Sequence, residues 1–121
     1  MTIYVDADAF PRPLRDLLLR ASKRLAIPVT FVANRFIRLP ESDLLDCIIA
    51  PEGPDQADDR IAELASEGDL VITADVPLAD RVVTKGAHAL DPRGMLYTPD
   101  NIKERLATRD LIADLRDTGL M

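Results

Sequence analysis

Residues 68–75 read Gly68-Asp69-Leu70-Val71-Ile72-Thr73-Ala74-Asp75, and Val76-Pro77 follow at once. The run from Asp69 to Thr73 is apolar on nearly every position rather than on every second one. A strand of that kind needs cover on both faces, as in a parallel sheet between two layers of helices. Asp75 closes it, and Pro77 sits where a helix tolerates proline, in its first turn. The unit is therefore a buried strand, an acid at its carboxyl end, and a helix running to about Lys85 before Gly86.

The same pattern recurs outward from this stretch. Thr2–Val5 is a short β-rich run ending in Asp6-Ala7-Asp8. Pro11 and Pro13 open a helix in which Leu14, Leu17, Leu18, Ala21 and Leu25 recur at helical spacing, with Arg12, Arg20, Lys23 and Arg24 opposite. These leucines are expected to be core and the basic face to be solvated. Val29–Ala33 is a second strand stopping at Asn34, and Leu44–Ala50 a third, closed by Pro51, Gly53 and Pro54. Asp55–Ser66 reads as a helix, with Gly68 as its terminator. Ala87–Leu90 is a short fifth strand, Asp91-Pro92-Arg93-Gly94 a turn, and Tyr97 closes a short extension. Thr98-Pro99-Asp100 starts a last helix through Leu106, broken near Thr108 and resumed to Arg116. Strands alternating with helices imply an α/β layered fold with a mostly parallel sheet of about five strands flanked by helices. No repeat or linker divides the chain, and 121 residues fit one domain, 1–121.

Composition narrows the function. One cysteine excludes a disulfide framework and a cysteine zinc site; Cys47, in an apolar strand, is expected to be an inert core thiol. No apolar run approaches the ~18 residues that span a bilayer. The amino terminus lacks a basic n-region and turns acidic at once, so a cytoplasmic protein without a membrane partner is expected. The net charge of −6 argues against a simple electrostatic nucleic-acid binder. Yet the acid is sixteen Asp against five Glu, and Asp favours caps, turns and metal sites over helix interiors.

In an open parallel sheet, ligands bind beyond the carboxyl ends of the strands. Asp6, Asp8, Asn34, Thr73, Asp75 and Asp91 all belong there, so at least four carboxylates are expected to converge on one edge. Two such charges ~4 Å apart repel by about 4 kcal/mol at an effective dielectric of 20. Some must stay protonated, or a cation must reside among them. All-oxygen ligands select Mg²⁺ or Mn²⁺ over zinc, and such an ion suits phosphoryl chemistry. Setting aside Asp6, Asp8, Asp55, Asp58, Asp59 and Asp75 leaves the remainder neutral, so the acidity is local. Arg12, Arg35, Arg38 and Arg93 can then hold a phosphate backbone around an acidic mouth.

Each residue also has a plainer reading. Asp6 ends a buried strand with no helix nearby to cap, which favours a site role. Asp8 can cap the helix near Pro11, Asp75 the helix at Val76, and Asp55 the helix after Pro54. Asp58 and Asp59 suit a helix dipole. Asn34 forms an Asx turn or orients a ligand. Thr73 satisfies strand-end backbone or binds a metal-linked water. Asp69 is read as a turn residue, and the sole histidine, His88, as structural rather than as a base.

The stretches Val5-Asp6-Ala7-Asp8-Ala9-Phe10-Pro11, Val32-Ala33-Asn34, Gly53-Pro54-Asp55-Gln56-Ala57-Asp58-Asp59, Gly68 to Ala79, and Pro92-Arg93-Gly94 with Tyr97-Thr98 and Asn101-Ile102 resemble the YaiI/YqxD family, related to PIN-like domains. The resemblance runs from residue 2 to about residue 117. It implies a three-layer PIN-like fold whose acids chelate Mg²⁺ or Mn²⁺, with cleavage of single-stranded RNA or DNA in characterised relatives. Carried over, the catalytic acids are Asp6, Asp8 and Asp75. The metal ligands are Asp6, Asp8, Asp58 and Asp75, and the substrate contacts are Asn34, Asp55, Thr73 and Arg93. Single-stranded nucleic acid is the expected partner, with a homodimer left open. Two features depart from the family: Phe10 stands where members usually carry Cys, and family chains tend to run on past the position of Met121. Two alternatives stay open. One is a non-catalytic PIN-like binding module. The other is a phosphatase of haloacid-dehalogenase type with Asp6 as nucleophile, although Phe10 replaces its expected Thr. A receiver-like domain is disfavoured by Ala50 at the third-strand end.

Overall fold

A computed structural model describes residues 1–8 and 10–119. The elements follow the expected order. They are β1 (Ile3–Asp6), α1 (Arg12–Leu25), β2 (Val29–Ala33), β3 (Leu45–Ile49), α2 (Gln56–Leu64), β4 (Leu70–Ile72), α3 (Val76–Thr84), β5 (His88–Leu90) and α4 (Pro99–Asp117). The five strands form one sheet in the order β3-β2-β1-β4-β5, and every pairing is parallel. This is the α/β architecture read from the apolar strands, and it is consistent with a three-layer PIN-like fold. The chain builds outward from β1 to β3, then returns to β4 and continues to β5 on the other side. β1 and β4 are therefore neighbours across the point where the winding reverses. Parallel α/β sheets open a crevice at that point, beyond the carboxyl ends of the strands.

Successive strand residues serve opposite faces, which explains the unbroken apolar runs. Val32, Val71 and Ala89 pack with Ile61, Leu78, Val82 and Ile102 beneath α2, α3 and α4. Ile3, Val5, Val29, Phe31 and Ile72 form the opposite core, with Leu18 and Leu19 of α1 against it.

Several expectations need correction. Leu17 and Leu25 are not core: they are 55% and 57% exposed. Helical spacing identifies the apolar stripe, but Phe10, Ile37 and Leu39 share that face of the sheet with α1, and only Leu18 and Leu19 of its leucines pack against the core. An apolar hollow of about 270 Å³ remains between α1 and the end of β5, lined by Phe10, Leu14, Leu17 and Leu90 among others. Cys47 is half-buried rather than buried, because β3 is an edge strand. The last helix has no break near Thr108; α4 is continuous. No Gly or Pro follows Pro99 within it, and a Thr98–Asn101 capping box secures its start. Asp69 is buried and does more than turn the chain. It accepts hydrogen bonds from Thr2 N (3.0 Å), Ser66 N (3.0 Å) and Ser66 Oγ (3.0 Å), joining three segments at the amino edge. The strand extension at Tyr97 forms as expected, through a bridge between Leu90 and Leu96.

Candidate functional site

Three elements far apart in sequence deliver carboxylates to the crevice. β1 ends on Asp6, α2 carries Asp58 in its first turn, and Asp75 caps α3 just beyond β4. Thr73 joins two of them. Its hydroxyl is 1% exposed as a residue, donates to Asp6 Oδ2 at 3.0 Å and accepts from Asp75 N at 3.0 Å. The Thr73 side chain is thus neither idle nor limited to the strand end. Asp75 does perform the capping role, accepting from Leu78 N at 2.9 Å, and it still faces the other acids.

The electrostatics of this group are unfavourable. Burial pushes the Asp6 carboxyl above its ordinary value; the Thr73 hydrogen bond pulls it down, and Asp75 and Asp8 push it further up. Asp58 is pushed up to about 7. Burial is the largest cause, followed by the charges of Asp6, Asp75 and Asp55 and a hydrogen bond toward Asp75. A first-turn helix position would favour its charged form, so burial, joined by the crowding of like charges, overrides the dipole. Near neutral pH this carboxyl is divided between its two protonation states.

Asp8 is placed differently from Asp6. It does not cap α1, whose start at Pro11 has no side-chain cap. Both Asp8 oxygens accept from Asn34 N, at 3.0 and 3.3 Å, and the Asn34 carboxamide also donates to them in the orientation that satisfies its hydrogen bonds. Asp8 and Asn34 therefore clamp the ends of β1 and β2 together at the rim. Asp55 sits at the start of α2 without capping it by its side chain. Its φ of 63° is left-handed, a conformation Asp tolerates better than most residues. Asp59, beside Asp58 in sequence, points elsewhere and pairs with Arg81 at 2.7 Å.

Asp6, Asp8, Asn34, Asp55 and Asp58, with Gly53 and Ala57, line an open cavity of about 240 Å³. Among the described residues, no Lys, Arg, His or Cys lines it. Its donors are carboxylate and carboxamide oxygens, the chemistry that hard divalent cations take. Among the described residues, however, no group of three or more His, Cys, Asp or Glu side chains closes into a ready ligand set. The acids stand near enough to shift one another's proton affinity. The donor set fits Mg²⁺ or Mn²⁺, which keep several waters when bound by one or two carboxylates.

Asp91 does not join this group. It is held by Arg93 N at 2.7 Å and faces Arg105 at 3.4 Å, lining a separate hollow beyond β5. Arg93, expected as a substrate contact, lies in that hollow. Tyr97 and Arg105 were not singled out as site residues in the sequence. Tyr97 Oη donates to the Thr73 carbonyl at 3.1 Å, and the Arg105 guanidinium lies 4.6 Å from the Tyr97 ring centre. His88 opens the edge strand β5 at its amino end and is exposed. Arg12, Arg35 and Arg38 are exposed. No helix of the described residues is long and apolar enough to cross a membrane.

A family model described as "Uncharacterized BCR, YaiI/YqxD family" matches residues 4–121. A UPF0178 protein of Trichlorobacter lovleyi is 52% identical over 121 residues, covering 100% of this chain and 79% of its own length. One of Geobacter sulfurreducens is 53% identical over 121 residues, covering 100% and 80%. Another, of Burkholderia cenocepacia, is 53% identical over 120 residues, covering 99% and 80%. No solved structure matches the chain. The chain belongs to the YaiI/YqxD family, as its motifs implied.

Proposed function

We propose that this member of the YaiI/YqxD family hydrolyses phosphodiester bonds in single-stranded RNA or DNA, with Mg²⁺ or Mn²⁺ as cofactor. The observation that carries the reading is the convergence of Asp6, Asp58 and Asp75, from three separate elements, around the buried Thr73 hydroxyl at the sheet's switch point. Such a convergence is costly for folding unless its charge is used.

Asp6, Asp58 and Asp75 would hold the cation, with Asp8 beside them at the rim. When bound, the ion supplies Lewis acidity and charge neutralisation at the phosphoryl oxygens. The protein's own groups do the rest. Thr73 fixes the Asp6 carboxylate through its hydroxyl. Asn34 fixes Asp8 and closes the rim on the β2 side. Asp58, pushed up to about 7 by burial and its acidic neighbours when no ion is present, would be drawn into its charged form as it takes up the cation. Asp55, in the acid cavity, and Arg93, in the separate hollow beyond β5, would contact the strand.

The test is incubation of purified protein with labelled single-stranded RNA and Mn²⁺. Cleavage that is lost in Asp6→Asn supports the reading; cleavage unchanged in that variant rejects it. A second reading follows from the same geometry. Because the described acids do not close into a ready ligand set, the fold can serve as a non-catalytic binder of nucleic acid. Calorimetry showing strand binding with no heat from Mn²⁺ would favour it.

A further inference from the structure

At Ala74, between Thr73 and Asp75 in the chain, lies a second hollow of about 400 Å³. It is lined by Ala74, Asp91, Pro92, Arg93 and Arg105, with Pro11 and Leu14 at its edge. Its charge is opposite to that of its neighbour: two guanidinium groups against one carboxylate. The carboxylate is already engaged, since Asp91 accepts from Arg93 N and faces Arg105 Nη2. Arg105 is held in place by stacking on Tyr97, and Tyr97 is tied to Thr73, which holds Asp6. The basic hollow is therefore linked to the acid group through Arg105, Tyr97 and Thr73, the last by its main-chain carbonyl on one side and its hydroxyl on the other. One feature of it has no partner. Arg105 Nη1 is buried and makes no hydrogen bond among the described residues. A buried guanidinium donor left unpaired is costly, and arginine forks match phosphate oxygens bidentately.

We propose that Arg105 and Arg93 form an anion subsite that binds one phosphate of a single-stranded nucleic acid, adjacent to the phosphodiester facing Asp6. The subsite rests on the phosphodiester reading above for its choice of ligand. Arg105 is the specific element, with its stacked orientation and free buried donor. Arg93 is the exposed flank that closes on the phosphate. The Tyr97–Thr73 link sets the spacing between the two charge zones.

The test is equilibrium binding of a short fluorescent oligo-uridylate in EDTA, so that no metal chemistry contributes. Arg105→Met, which keeps the stem over Tyr97, is expected to weaken binding by about tenfold or more. It should also lower the slope of log K against log salt by about 0.7, the loss of one phosphate contact on a single strand. Arg105→Lys should restore the slope without restoring the affinity. Arg93→Ala alters an exposed side chain and should also lower affinity, so it carries the test if Arg105→Met melts early. Inorganic phosphate should displace the strand from wild type at lower concentration than from Arg105→Met. Unchanged affinity and slope in Arg105→Met and Arg93→Ala overturn the subsite. A strand that binds no more tightly than inorganic phosphate overturns its assignment to nucleic acid. Arginine-dependent binding without Mn²⁺-dependent cleavage leaves the subsite standing and defeats the nuclease reading. Cleavage lost in Asp6→Asn but indifferent to both arginines does the reverse.

Discussion

Asp69 and Asp58 sit at opposite edges of one sheet, and both are drawn out of water, yet their surroundings push them in opposite directions. At the amino edge, burial alone would raise the Asp69 carboxyl. Hydrogen bonds from Thr2 and Ser66 outweigh it and hold the group below its ordinary value. At the carboxyl edge, burial raises Asp58 as well, its neighbours are other carboxylates that add to the rise, and the group is pushed up to about 7. The first arrangement is satisfied and joins three segments of chain. The second is unsatisfied by the protein itself and leaves charge to be met from outside. Burial of an acid therefore says little about its purpose until its partners are known.

The sharpest way to break this comparison is through activity. Asp6→Asn should lower Mn²⁺-dependent cleavage by roughly a hundredfold or more, with no loss of thermal stability, because it relieves like-charge repulsion. A matching fall in melting temperature would mean that Asp6 is structural, like Asp69. Next in size is Asp69→Ala, which strands the donors of Thr2 and Ser66 and should cost about 2 kcal/mol, read from the urea midpoint at constant slope. Titrating Mn²⁺ to about a hundred times its dissociation constant should stabilise wild type by about 2.7 kcal/mol. The same titration should do little for Asp6→Asn.

Stability against pH sharpens the contrast through its sign. Asp58 has its folded value raised from 3.8 to about 7. Its contribution is therefore fully present below the unfolded value and is lost as pH rises through about 7. Asp69 is depressed, so its contribution is present above the ordinary value and is lost as acid titrates the folded group. In metal-free melts, Asp58→Asn should flatten the decline between about pH 4 and 7. Asp69→Asn should weaken the acid limb only. The smallest effect is expected at the exposed Arg81–Asp59 pair, where Arg81→Ala should change stability by no more than about 0.5 kcal/mol despite its 2.7 Å contact.

Much of the site was legible because it lies where strands end. Asp6 and Asp75 follow directly from apolar runs that stop on an acid, and the winding of the sheet places those stops together. Asp58 was not legible from its own residues, since a first-turn acid is as readily explained by a helix dipole; only the family motif raised it. Asp91 misled for the opposite reason. It also follows a strand, but a neighbouring turn and Arg105 claim it. Arg105 itself carries no local signal, because which face of a continuous α4 meets Tyr97 is set by packing.

The sequence by itself determined the layered α/β class, the order of its elements and the supply of acids to one edge, since apolar periodicity and strand termini are local properties of the chain. Tertiary structure alone decided which acids repel one another, which are already satisfied, and that an arginine from the last helix reaches back over Tyr97 toward Thr73. Those outcomes depend on distances between segments dozens of residues apart. Electrostatic and hydrogen-bond energies are set by such distances in space, whatever the separation along the chain.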